Sequence, residues 1–221
     1  LGNPEKPFDD LTLLDEKRRT GETTYTVVNK FGSDPEFSHN RFAKIQCNHC
    51  QEPACASACF VKALKKDPSG AVVYDESLCV GCRYCMVACP FSVPQFEWQN
   101  AIPSIKKCTL CRETKLKDGK PTACSTACPV GAITFGKSSD LIKIARKRIE
   151  SEPERYQDHV YGEKEVGGTG VLYLARPKVQ FASLGLPAFE YRTVAGLTES
   201  IQHRIFQYFI PPIAVYSVLG G

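Results

Sequence analysis

The run at residues 79–90, C-V-G-C-R-Y-C-M-V-A-C-P, constrains this chain more than any other stretch. Its four cysteines are separated by two, two and three residues, and proline follows at once. That spacing folds three thiolates around one [4Fe–4S] cube and sends the fourth to a neighbouring cube. Three sulfurs held close together need a tight loop. A short helical turn beginning near Cys85 then carries Cys89 away from that loop. Pro90 ends the turn, because it has no N–H and restricts the residue before it. Gly81 is expected to let the loop backbone approach the inorganic sulfides with no Cβ in the way.

The chain has 221 residues, enough for one large or two small domains with a real core. It carries twelve cysteines: Cys47, Cys50, Cys55, Cys59, Cys79, Cys82, Cys85, Cys89, Cys108, Cys111, Cys124 and Cys128. A disulfide scaffold would be shorter and would not repeat C-x2-C in this way. Paired C-x2-C also builds zinc ribbons. Zinc leaves the C-x3-C pairs Cys55/Cys59, Cys85/Cys89 and Cys124/Cys128 without a purpose, whereas cubane ligation gives all three the same one. The formal net charge of +4 counts the cysteines as neutral and is no signal for nucleic acid. A cubane with four thiolates carries about −2, so three would add roughly −6 and leave the assembled protein slightly acidic. Residues 101–150 hold eleven Lys/Arg against four Asp/Glu; these are counter-charges to clusters first, and a docking or solvated face second.

In chain order, residues 1–40 form a polar N-terminal extension, read as part of an incomplete first ferredoxin module, with one strand at 23–29. Residues 41–100 read as a complete two-cluster ferredoxin module: strands at 41–46 and 71–74, and two cysteine motifs related by a pseudo-two-fold. The crossing rule assigns one cluster to Cys47, Cys50, Cys55 and Cys89, and the other to Cys79, Cys82, Cys85 and Cys59. Phe60 stands where the other motifs have proline and should loosen the end of that turn. The third motif lies in 101–150, with Cys108, Cys111, Cys124 and Cys128 and a twelve-residue insertion. Cys128 either completes this third cluster or serves a cluster whose motif lies upstream of Leu1, and the upstream motif is the favoured reading. A strand is expected at 132–135. A helix is expected at 140–149, capped by Asp140 or Ser139, with Leu141, Ile144, Ala145 and Ile149 against the ferredoxin core.

Residues 151–200 read as a partner-wrapping extension. Its glycines at 163–170 lack the ending of a phosphate loop, so turns before a strand at 171–175 are expected. Residues 205–221 carry no charge and read as the start of a transmembrane anchor, with Tyr208 and Tyr216 at interfacial positions. Both ends of the chain look cut or processed. The expected fold class is therefore α+β: tandem bacterial-ferredoxin-like cluster-binding modules with a long C-terminal extension and a C-terminal membrane-anchor helix.

With these motifs in hand, the chain resembles the four-cluster ferredoxin-like electron-transfer subunits of respiratory oxidoreductases, the family serving dimethyl sulfoxide reductase and formate dehydrogenase. The likeness is strongest to the iron–sulfur subunit of hydrogenase-2-type membrane-bound [NiFe] hydrogenases. It is carried by A-L-K-K-D-P at 63–68, the run at 79–90, V-Y-G-E-K-E-x-G-G-T at 160–169 and E-S-I-Q-H at 199–203. The resemblance implies a relay of single electrons between a hydrogenase-type or molybdenum catalytic subunit and an integral-membrane quinone-reactive subunit. It also implies anchorage on the periplasmic side of a membrane, and three [4Fe–4S] clusters, or four with an upstream motif.

No nucleophile–base pair or nucleotide fingerprint occurs, so the chain is read as non-catalytic. A structural zinc-binding module and a catalytic cluster at the third motif are the rival readings. Lys44, Arg83, Lys106 and Lys107 are the expected tuners of cluster potential. His49 is read as a supporting or surface residue, and Phe96 and Trp98 as core packing.

Overall fold

The computed structural model describes residues 11–14, 16–33 and 40–195. The anchor expected at 205–221, with Tyr208 and Tyr216, lies outside these residues. Among the described residues, no helix is long and apolar enough to cross a membrane.

Strands β1 (Thr26–Ser33) and β2 (Asn40–Gln46) pair antiparallel, with Thr26 opposite Gln46 and Val28 opposite Lys44. The alternation of β1 explains its placement: Val27, Asn29 and Phe31 are buried, and Val28 faces out. This hairpin spans the boundary expected at 40/41, so the N-terminal segment is joined to the ferredoxin module.

Helix α1 (Ala54–Ser57) follows the first cysteine loop, then strands β3 (Leu64–Lys66) and β4 (Val72–Tyr74) pair antiparallel. Helix α2 (Tyr84–Ala88) follows the second loop, and strands β5 (Gln95–Phe96) and β6 (Ile105–Lys106) form the next antiparallel pair. Each half is thus a cysteine loop, one helical turn and a hairpin. The halves share a core of Cys55, Leu64, Val72, Cys85, Phe96 and Ile105. Each short strand buries one apolar side chain, Leu64, Val72, Phe96 and Ile105 in turn.

Helices α3 (Ala123–Thr126) and α4 (Ser138–Ser151) complete the regular elements. Several expectations are corrected here. Residues 132–135 form no strand; the stretch is mostly exposed and no neighbouring edge offers it a ladder. Only a single bridge, Tyr161 to Tyr173, represents the strand expected at 171–175. Helix α4 begins at Ser138, with Lys137 at the cap position and no side-chain cap bond from Asp140 or Ser139. Its buried Ala145 and Ile149 meet Val160, Leu172 and Leu174 of the extension rather than the ferredoxin core, and Ile144 is exposed. Replacing Ile149 by alanine is expected to cost about 2–4 kcal/mol. A lowered melting temperature with unchanged visible absorbance would place the loss at this satellite core.

The extension itself folds back on the chain. Tyr161, Ala175, Val179, Phe181, Leu184 and Leu186 form one core with Phe31 and Ala43 of the first hairpin. As far as Leu186, the extension thus contributes these side chains to the chain's own core.

Candidate cluster-binding site

The three cysteine motifs share one backbone design. The residue two positions after the first cysteine is left-handed in each: His49 (φ 46°), Gly81 (φ 68°) and Leu110 (φ 56°). A second left-handed residue falls three positions after each last cysteine, at Lys62 (φ 55°), Ser92 (φ 52°) and Gly131 (φ 64°). Side chains bearing a Cβ tolerate this conformation only at a cost of about 1–2 kcal/mol. Its recurrence at matching positions marks a geometry imposed on the loops. Gly81 takes that backbone angle without the strain His49 and Leu110 bear; a Cβ there would meet nothing closer than the Phe96 ring at 3.7 Å. Phe60 does not loosen its turn: Lys62 N–H reaches Cys59 O at 2.9 Å, as Ser92 N–H reaches Cys89 O at 3.0 Å and Gly131 N–H reaches Cys128 O at 3.2 Å. Phe60 is simply exposed.

The turns aim amide hydrogens at sulfur. Ala63 N–H donates to Cys59 Sγ at 3.2 Å, Gly81 N–H to Cys79 Sγ at 3.4 Å, Leu110 N–H to Cys108 Sγ at 3.4 Å and Ala123 N–H to Cys111 Sγ at 3.5 Å. Cys128 shows the effect most plainly. The N–H of Ile133 first, then those of Ala132, Val130 and Gly131, hold its thiol below the ordinary range. These are the donors that a thiolate or a sulfide needs.

Chain topology gathers the sulfurs in crossed sets. Cys59, from the first motif, lines one small cavity with Cys79, Cys82 and Cys85, from the second. Burial, and then those same three neighbours, push the Cys85 thiol up to about 11. Cys89, from the second motif, bears instead on the first. Burial, then Cys47 and Cys89, push Cys50 up to about 12, and the same influences raise Cys55. Cys47 and Cys89 are themselves raised by burial. The third motif adjoins this set: Cys108, raised first by burial, also feels Cys47. Thr122 Oγ1 lies 3.4 Å from Cys124 Sγ. All twelve thiols are free. Among the described residues, no three or more His, Cys, Asp or Glu side chains converge to hold a single metal ion.

Supports that the sequence did not disclose surround the first set. Lys66, from the K-K-D-P words, donates to His49 O at 2.7 Å, Cys50 O at 2.8 Å and Gly70 O at 2.9 Å, pinning the loop to the β3–β4 turn. Asp67 reaches Arg112 beside Cys111 at 3.0 Å, which ties the first motif's hairpin to the third loop. The glycines at 162–170 are turns, as expected, but they also brace the cluster loop. Gln51 N–H donates to Gly168 O at 3.0 Å, and Gly170 N–H to Asn48 O at 2.8 Å. Tyr173 Oη donates to Lys44 O at 3.0 Å and lies 3.3 Å from Asn48 Oδ1. His49 is neither a surface residue nor a thiol's direct partner by its ring: it is 1% exposed, and Val72 N–H donates to its Nδ1 at 2.9 Å. Burial, then Lys107, Lys66 and Lys44, push its pKa down to about 3. Lys107 is buried; its Nζ donates to Val72 O and, at 3.2 Å, to Cys108 O. Trp98 is not core packing but exposed, with Arg83 stacked 5.0 Å from its ring; Phe96 is buried.

Within the brace, buried Glu165 accepts Gly162 N–H at 2.7 Å and pairs with His159 Nε2 at 2.6 Å. Burial raises its pKa, but the backbone amides of Glu165 and Gly162 and then the His159 ring outweigh that and leave it lowered. A lowered carboxylate contributes stability above its unfolded pKa of about 4.3 and loses it as pH falls through the folded value. Thermal melts at pH 7 and at pH 3 should therefore converge more for Glu165→Gln than for the unaltered chain.

The donor set fits a [4Fe–4S] group: four thiols per set, amides directed at sulfur, and loops held open by left-handed residues. A family model described as a 4Fe–4S dicluster domain matches residues 39–138. The chain belongs to this iron–sulfur family, and the [4Fe–4S] cluster is its cofactor. It is 54% identical over 187 residues to a protein of Nitratidesulfovibrio vulgaris, covering 84% of this chain and 50% of that one. It is 38% identical over 222 residues to the hydrogenase-2 operon protein HybA of Escherichia coli O157:H7, covering 89% and 66% respectively. It is also 32% identical over 188 residues to the thiosulfate reductase electron transfer subunit PhsB of Salmonella typhi, covering 76% of this chain and 92% of that one. The chain thus spans half to two thirds of the first two relatives.

Proposed function

We propose that this chain is an electron-transfer subunit that relays single electrons between a hydrogenase-type catalytic subunit and a membrane partner that reacts with quinone. Bound [4Fe–4S] clusters supply reversible one-electron exchange with little rearrangement. Cys47, Cys50, Cys55 and Cys89 would hold one, and Cys79, Cys82, Cys85 and Cys59 a second. Cys108, Cys111 and Cys124 would hold a third with Cys128, unless Cys128 serves another centre. The observation that carries the reading is the crossing itself: Cys59 shares a cavity with the second motif's first three cysteines. Crossed ligands tie two centres into one rigid unit, which a relay requires and a lone structural ion does not.

The residues around these sites hold, insulate and tune. Burial of Cys47 and Cys55 excludes water, while Cys82 is exposed, so the second set reaches the surface. Phe60, Val80, Tyr84, Val87 and Trp98, all in or near the first two motifs in sequence, are exposed as well, and such apolar surface favours docking of a partner. The chain would work anchored on the periplasmic side of a membrane through residues 205–221. The shared motifs also allow the same relay role beside a molybdenum catalytic subunit. An anaerobic redox titration of the full chain, followed by electron paramagnetic resonance, tests the reading. Separate, reversible one-electron steps are expected, with no hydrogen or formate turnover by the chain alone. Turnover by the isolated chain would contradict it.

A further inference from the structure

We infer that His49 is a positioning and tuning residue whose Nε2–H donates a hydrogen bond to a sulfur of the centre at Cys47, Cys50, Cys55 and Cys89. The inference rests on the ligand assignment proposed above. Its first step is the location of one proton. Val72 N–H donates to His49 Nδ1 at 2.9 Å, so Nδ1 offers a lone pair and bears no hydrogen. An imidazole retains at least one proton in a protein, and it must therefore sit on Nε2. That rules out the imidazolium as well, since Nδ1 would then be a donor.

The second step is the lack of a protein acceptor. Nε2 is buried and has no hydrogen-bond partner. A buried donor left unpaired costs about 1–3 kcal/mol. The oxygens of the surrounding loop are already engaged. His49 O accepts from Lys66, Asn48 O from Gly170 N–H, and Val72 O from Lys107. The backbone of His49 is also closely packed: a Cβ on Gly170 would lie 3.0 Å from His49 O and 3.3 Å from His49 Cβ. No cysteine sulfur accepts from Nε2 either, which leaves the sulfides of a centre held by the flanking Cys47 and Cys50 as the acceptor.

The third step is comparison among the motifs. His49, Gly81 and Leu110 occupy the same left-handed position, and only the first brings a polar group. The backbone needs no imidazole there, and glycine satisfies the same angle without strain. Its near nitrogen serves Val72 N–H, and the far one is left for the centre. A donor to sulfur favours the more electron-rich, reduced state, so His49 would raise the potential of this centre above that of an otherwise similar one.

The test uses the full chain, reconstituted anaerobically with iron and sulfide. Iron analysis comes first, because an iron-free product defeats the underlying assignment before His49 is touched. In His49→Leu, with its iron content intact, the reduced-to-oxidised ratio of this one centre at fixed potential should fall about tenfold, equal to about 59 mV for one electron. The other centres should not move. His49→Gln, whose amide nitrogen reaches near the place of Nε2, should recover at least half of the shift. Should His49→Leu not fold, the unaltered chain grown with 15N-histidine decides: the reduced centre should show hyperfine coupling to one histidine nitrogen. An unchanged potential in a fully loaded leucine variant, equal shifts in the two variants, a shift at another centre, or no nitrogen coupling would each overturn the inference.

Discussion

Replacing Cys89 by alanine should abolish the centre bound through Cys47, Cys50 and Cys55 and spare the one bound through Cys79, Cys82 and Cys85. The result runs against sequence proximity, since Cys89 lies four residues from Cys85 and far from Cys47. It follows from helix α2, which turns Cys89 away from its own loop. Cys89 ends that helix in an extended conformation, φ −75° and ψ 114°, and the amides of Val93, Phe91 and Ser92 then bear on its sulfur. The neighbours that Cys89 presses upon are Cys50 and Cys55. Losing a fourth thiolate should leave the first set unable to hold a complete cube, and its reduced signal should disappear. The reciprocal variant, Cys59→Ala, should remove the second centre and spare the first. Electron paramagnetic resonance of the two variants, each compared with the unaltered chain, reads both outcomes. Loss of the second centre on mutating Cys89 would reverse the assignment.

The second large effect is expected from Lys107→Met. Lys107 is 5% exposed, and its charge acts on Cys47, Cys55 and Cys89 as well as on Cys108. A buried ammonium favours the reduced state, which carries one more negative charge. At a separation of about 7 Å and an effective dielectric constant of about 20, one unit charge contributes about 2 kcal/mol. That corresponds to a fall of about 100 mV when the charge is removed, taking 59 mV per tenfold change. The variant also leaves Val72 O and Cys108 O without their donor, costing about 1–3 kcal/mol of stability. A redox titration should show the first centre shifted down and the second, which Lys107 does not face, nearly unmoved. Equal shifts at both would mean a general loosening of the fold.

The parts of the site legible in the sequence are those fixed by covalent spacing. Two, two and three residues between cysteines demand a loop and then a helical turn, and that turn brings Cys59 beside Cys79, Cys82 and Cys85 and Cys89 to bear on Cys50 and Cys55. The strand at 71–74 is legible because its β-branched pair Val72-Val73 follows a turn at Pro68–Gly70. Long-range support was not. Nothing local in Lys66 announces that its ammonium caps three carbonyls, or in Gly168 and Gly170 that they lie against residues 48–51, more than a hundred positions away. His49 read as ordinary because burial is decided by β4 and Gly170, which the motif itself does not contain. The strand expected at 132–135 failed for the converse reason: its β-forming residues are present, but a strand needs a neighbouring edge. A large apolar side chain such as Trp98 reads as core, whereas it is exposed and stacked with Arg83.

Iron and acid-labile sulfide analysis of the anaerobically prepared full chain, joined to Mössbauer spectroscopy, tests the central claim most directly. The account predicts equal iron and sulfide, at least about eight irons per chain from the two crossed cysteine sets, and the spectrum of four-iron cubes. A colourless protein holding zinc, or one with iron but no sulfide, would contradict it.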